Sequence, residues 1–296
     1  MDRLFRQQEF TTEPNAPYPD PTTGRAREID LVARWTSTTS PSEVNALVLC
    51  ECENNSQPVV FFGTPADPER DMDESYVVSG FPLGIDAGAG VPTHLASLHG
   101  SNRDLHSYGW PLATQYCTFK PPKRDNDGRW MALHNDEQHD TLEALRQATC
   151  CRVEAHYQEM HGMLVSLLDP GEWSMAQVYY PVVVLGGEMY LCSNSRGHFS
   201  LRKTQHVRFM KQWSGLNLAS GVSVGIDIIS ERHVPAYVRC VRNEVQYLSN
   251  LVKSYEAGIV KAIAQLGQKI NGDETPAALR RVVERHASRL DEDDTD

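Results

Sequence analysis

No stretch of the chain is apolar for the roughly 20 residues that a membrane-spanning helix needs. The opening residues, "MDRLFRQQEF", are charged and polar, unlike a secretory or organelle leader, so a cytoplasmic protein with no membrane attachment is expected. Bases are in short supply: 28 Lys and Arg stand against 39 Asp and Glu, a net charge of −11. That balance argues against coating nucleic acid through bulk charge and leaves room only for a local basic groove. No G-x-x-x-x-G-K-[ST] occurs, and "GIDAGAG" opens no clear helix after a strand, so phosphate-loop chemistry has no support. Paired cysteines are also missing. The seven (Cys50, Cys52, Cys117, Cys150, Cys151, Cys192, Cys240) are odd in number, scattered and partly inside apolar runs, which reads as reduced thiols. His134/His139 and His156/His161 are five apart, not the four that would place two ligands on one helical face.

What is present is a mixed α/β pattern. Residues 2–9 allow one or two helical turns, and the proline-rich 11–26 reads as an extended connector. Strand-like runs follow at 28–36, 46–53 and 58–63, then a Gly-, Pro- and Asp-rich excursion over 64–100. A further strand is expected at "ATQYCTF" and a helix over 135–160. "VYYPVVVLGGEMYLCS" reads as a hairpin through Gly186-Gly187, with two more strands in "HFSLRKTQHVRFM" and "SVGIDIIS". A long helix spans 234–270. Its broad apolar stripe suits packing on the sheet or on a partner, with core packing the expected use; a last helix is expected over 275–290. The expected division is a domain over 1–233 with an insertion at about 64–130, a helical region over 234–290 and a solvated acidic tail at 291–296.

Three acids sit where a buried strand would not want them. In "LVLCECENN", alternation puts Leu47, Leu49, Glu51 and Glu53 on one face, so apolar residues give way to carboxylates at the strand's end. If "REIDLVARW" pairs with it as a hairpin through 36–45, Asp30 lies beside Glu51 or Glu53. Clustered carboxylates repel, and one takes up a proton unless a cation intervenes. A hard divalent ion such as Mg²⁺, held by carboxylates and water, removes the repulsion and could activate water against a phosphodiester. The alternative is that these acids face solvent on a half-exposed hairpin.

The piece "YPDPTTGRAREIDLVA", a dozen loop residues, then "ALVLCECENNSQPVVFF" resembles the PD-(D/E)xK nuclease superfamily, in particular its bacterial restriction and phage-defence branch. The resemblance covers about residues 2–63 and implies a restriction-endonuclease-like mixed central sheet flanked by helices, with an inserted loop region and a C-terminal helical extension. It implies that Asp30, Glu51 and the Cys52 carbonyl hold Mg²⁺ or Mn²⁺, and that DNA, rather than RNA, is cut. Many members carry an acid on the first helix, for which Asp2, then Glu9, are the candidates. Glu53 stands where the family usually has lysine. It could serve as general base or second ligand, a base such as Lys120 or Lys123 could reach in, or the site could bind without cutting. Gln115 is a further catalytic candidate near the water.

Two basic segments could meet phosphates. One holds Lys120, Lys123, Arg124 and Arg129 with Trp130; the other holds Arg202, His206 and Arg208 with Trp213. The nuclease resemblance favours the first. A protein partner or a second copy of the chain is also expected.

Overall fold

The computed structural model describes residues 1–20, 23–37, 44–55, 57–65, 77–80, 109–120, 131–133, 136–166, 176–195, 197–212 and 223–254. In chain order these give α1 (Asp2–Arg6), β1 (Thr11–Pro19), β2 (Ala26–Thr36), β3 (Val44–Glu53), β4 (Val59–Thr64), β5 (Val77–Gly80), β6 (Leu112–Lys120) and β7 (Met131–Leu133). They continue as α2 (Asp136–Ser166), β8 (Ala176–Leu185), β9 (Met189–Ser195), β10 (His198–Thr204), β11 (His206–Gln212), β12 (Ser223–Ser230), a 3-10 turn (Glu231–His233) and α3 (Val234–Ser254). The strands make one mixed sheet in the order β1-β2-β3-β8-β12-β11-β6-β4-β9-β10, with β5 on β8 and β7 on β6. The fold is mixed α/β.

All ten residues of β8 are buried, as expected of a strand covered on both faces. It runs parallel to β3 and β12, with α2 in the crossover from β3. Pro181 is tolerated in this central strand because one edge changes partner there. β5 pairs with Ala176 to Tyr179, β12 begins at Val182, and the missing N–H falls in the gap. On one face α2 lays Leu142, Leu145 and Ala148 against Leu47, Leu49 and Val183. On the other, α1 and α3 bring Phe5, Tyr237, Val241 and Val245 onto Ala46, Val48 and Val182. The described part of the α3 stripe, Val241, Val245 and Leu248, is therefore core; residues 255–270 of the expected helix lie outside the described residues. No described helix is long and apolar enough to cross a membrane. None of the seven cysteines is in a disulfide.

Three expectations are corrected. Residues 11–19 are not a connector but β1, antiparallel to β2. Pro14, Pro17 and Pro19 are admissible because β1 is an outer strand, where missing donors are cheap. "VYYPVVVLGGEMYLCS" is not a hairpin: β9 leaves β8 and pairs with β4 and β10. "HFSLRKTQHVRFM" is two strands, because β10 pairs with β9 while β11 pairs with β12 and β6. The last expected helix, the acidic tail and most of 64–108 lie outside the described residues.

The turn after β8 and the link after β3 run side by side. Gly186 N–H donates to the Glu53 carbonyl at 2.8 Å, and Val59 N–H donates to the Glu188 carbonyl at 2.9 Å. A Cβ on Gly187 would lie 2.3 Å from the Asn55 carbonyl oxygen, so only glycine permits this approach. Gly187→Ala is expected to destabilise the protein by about 1–3 kcal/mol, read as a lower urea midpoint at unchanged slope.

Candidate active site

The acids come together where β2 and β3 part. Their ladder runs from Thr36↔Asn45 to Leu31↔Cys50 and stops, one residue short of Asp30 and Glu51. A defect in β2 explains the parting. Asn15, in the neighbouring β1, has φ of +51°, and the β1–β2 register passes from Pro14↔Leu31 to Ala16↔Ile29 without pairing Asn15 and Asp30. On either side of Asp30 the faces switch, for Ile29 packs in the α2-side core and Leu31 in the α3-side core. Regular alternation would have put both on one face. Local strand irregularities of this kind re-aim side chains, and here the Asp30 carboxylate turns toward β3.

Asp30 Oδ2 accepts the Cys52 N–H at 2.8 Å, in place of a β2 carbonyl. A strand residue's N–H and C=O point to the same edge, so the Cys52 carbonyl faces the Asp30 side as well. Glu51 is half-buried. Burial, the Asp30 charge and a hydrogen bond with the Asp30 carboxyl push its pKa up to about 8. Glu51 therefore keeps its proton at neutral pH, the response of an acid crowded by a second acid.

Glu53 continues on the same face and accepts a hydrogen bond from the Thr141 hydroxyl of α2. It borders a small apolar cavity of about 20 Å³ with Val59, Phe61, Tyr116 and Leu142. Beyond Glu51, Tyr18 of β1 is buried opposite Arg27 of β2. Burial raises the Tyr18 pKa, the Arg27 guanidinium opposes that rise, and the Glu51 charge adds to it. Arg27 Nε is held by the buried Asp20 at 2.9 Å.

The structure thus brings together Asp30, Glu51, the Cys52 backbone and Glu53. It does not bring Gln115 to them: Gln115 is exposed, next in sequence to Tyr116, and alternation turns it away from the cavity that Tyr116 lines. Asp2 is held by Thr12, whose hydrogen bond chiefly lowers its pKa, and by Arg6; Glu9 pairs with Arg242 at 2.8 Å. Lys120 ends β6 opposite Met131, while Lys123, Arg124, Arg129, Trp130 and Trp213 lie outside the described residues. Of the second basic segment, Arg208 is buried against Asp227. His206 stacks on Trp110, and burial holds its pKa down to about 4, so it is uncharged at neutral pH. Neither is available to a phosphate.

Tyr18, Arg27 and Thr141 carry no sequence signal of their own. Reading 11–19 as a strand would have exposed the first two, since its antiparallel pairing with β2 sets Tyr18 opposite Arg27. Among the described residues no three His, Cys, Asp or Glu side chains form a ready-made metal cage. The donor set is two carboxylates and a backbone carbonyl. Hard oxygen ligands short of a full shell suit Mg²⁺, which keeps several waters and takes further oxygens from a phosphate substrate. Compared with known proteins, the chain matches no family model, no curated protein and no solved structure.

Proposed function

We propose that the chain is a metal-dependent nuclease of the PD-(D/E)xK kind, acting on DNA in bacterial restriction or phage defence. The observation that carries this reading is the meeting of the Asp30 and Glu51 carboxyls at the parting of β2 and β3, with Asp30 turned onto the Cys52 N–H. Two crowded carboxyls, Glu51 half-buried and Asp30 open to solvent, are a poor structural device and a good cation site. Its support is the adjacency of the "REID" strand and the E-x-E strand, with both acids at the same end and helices covering both faces of the sheet. Mg²⁺, or Mn²⁺, would be held by Asp30, Glu51 and the Cys52 carbonyl, and would supply an activated water and charge neutralisation at the phosphodiester. Asp30 is oriented for this by Cys52 N–H, and Glu51 would have to give up its proton to an incoming ion. Glu53 would serve as general base or further ligand, with Thr141 fixing its rotamer.

The test is incubation with plasmid and single-stranded substrates, with and without Mg²⁺ or Mn²⁺. Asp30→Ala and Glu51→Ala are each expected to lower cleavage by about 10²–10³-fold or more. Cutting by both variants at the wild-type rate would overturn the assignment.

A second reading, a nuclease-fold module that binds nucleic acid or scaffolds a defence complex without cutting, is favoured by Glu53 itself. It occupies the usual lysine position and is already engaged by Thr141. Glu53→Lys separates the two: a gain of cutting marks a silenced site, and a loss marks a working E-x-E.

A further inference from the structure

We propose that Arg27, backed by Tyr18 and Asp20, supplies the positive charge absent from position 53 and contacts the substrate phosphate beside Asp30 and Glu51. The inference rests on the nuclease reading above and names a residue that the motif does not contain.

Its basis is placement. Ile29 packs into the α2-side core, so Arg27, two residues earlier in β2, projects from the same face. That is the face on which Glu51 and Glu53 stand, after Leu47 and Leu49. Tyr18, directly across the ladder from Arg27, belongs to the same core and feels the Glu51 charge, which puts the guanidinium at the margin of the acid pair. Asp140, at the start of α2, adds to the acids around it.

The guanidinium is held in a way that suits a phosphate. Asp20, only 5% exposed, takes Arg27 Nε at 2.9 Å, while the Arg27 side chain remains 50% exposed. Asp20 is itself fixed: its Oδ1 accepts Thr23 N–H at 3.1 Å, and its backbone closes the turn with Arg25 and Gly24. One side of the fork is therefore anchored and the Nη side faces Tyr18 and solvent. Arginine held so is pre-organised to grip a phosphate with little further loss of freedom. Lysine at 53 would act as a point charge from β3; Arg27 can deliver the same charge from β2.

The experiment compares Arg27→Met, Arg27→Ala, Arg27→Lys and Asp20→Asn with Asp30→Ala, by Mg²⁺-dependent cleavage and by binding of a short fluorescein-labelled DNA duplex in Ca²⁺ at several salt concentrations. Arg27→Met is expected to lower kcat by about 10²-fold, well beyond what any fall in Tm shared with Asp20→Asn accounts for, and to weaken binding with the loss of about one phosphate contact from the salt slope. Arg27→Lys retains most of the rate, and guanidinium ion added to Arg27→Ala restores part of it. Asp20→Asn keeps the cation, so it lowers Tm more than kcat. Arg27→Met cutting and binding like wild type, while Asp30→Ala does not cut, overturns the role of Arg27 and leaves the nuclease reading standing. A loss in Arg27→Met matched by Asp20→Asn in both Tm and rate shows a purely structural residue and overturns it too. If Asp30→Ala cuts like wild type, both inferences fall.

Discussion

In buffer free of divalent ions, the protein is expected to lose stability as pH rises from the ordinary carboxyl range to about 8, and Glu51→Gln is expected to remove that loss. The sign follows from proton binding. The folded state holds the Glu51 proton up to about pH 8, while the unfolded chain releases it near the ordinary glutamic acid value. Between those limits the folded state binds more protons, so stability falls with pH; below the window the contribution is whole, above it it is gone. Full linkage would be worth about 5 kcal/mol, and because Glu51 is only half-buried, water reduces the expected loss to about 2 kcal/mol. Mg²⁺ is expected to reverse the loss, since a bound cation stabilises the deprotonated pair, and its affinity should rise up to about tenfold per pH unit below pH 8 as one proton is displaced. Thermal melts across pH, with and without Mg²⁺, read all of this. A wild-type curve superimposable on that of Glu51→Gln, with no response to Mg²⁺, would contradict it.

Asp227→Ala is expected to cost about 3–5 kcal/mol of folding stability. Asp227 and Arg208 are 1% and 3% exposed, joined at 2.7 Å, and the Tyr237 hydroxyl donates to the second Asp227 oxygen at 2.9 Å. Burial and the Asp227 charge raise the Tyr237 pKa well above its ordinary value, so that hydroxyl stays a donor. Removing the carboxylate leaves a guanidinium charge deep in the sheet. The double replacement Arg208→Met with Asp227→Leu takes both charges away and is expected to recover most of the loss, as buried pairs are costly to break and cheap to replace whole. Gly225 belongs to the same device: a Cβ there would lie 2.3 Å from Arg208 Nε. Urea midpoints of the single and double variants check the pattern.

The sequence made the local elements legible because their signals are local. The runs at 28–36, 46–53 and 58–63 correspond to β2, β3 and β4, and the hairpin through 36–45 to their antiparallel β2–β3 ladder. Alternation along β3 was enough to put Glu51 and Glu53 on one face. The rest depended on distant partners. Arg208 looked like a phosphate ligand because nothing near it in sequence announces Asp227, which arrives only through the β11–β12 register. The run through Gly186-Gly187 looked like a hairpin because the claim of β4 on β9 is written elsewhere in the chain. Tyr18 and Arg27 were hidden by prolines, which suppress a strand reading unless an outer position is known in advance.

Those prolines have a bearing on how the protein behaves in concentrated solution. An unpaired strand edge is an invitation to a second chain. With three prolines in nine residues, β1 cannot present a full row of donors, and the sheet is closed to growth at that margin. The other margin, β10, carries no proline and leaves Phe199 77% and Leu201 61% exposed. Among the two terminal strands of the described sheet, β10 is the adhesive one, and it lies at the end remote from the acids.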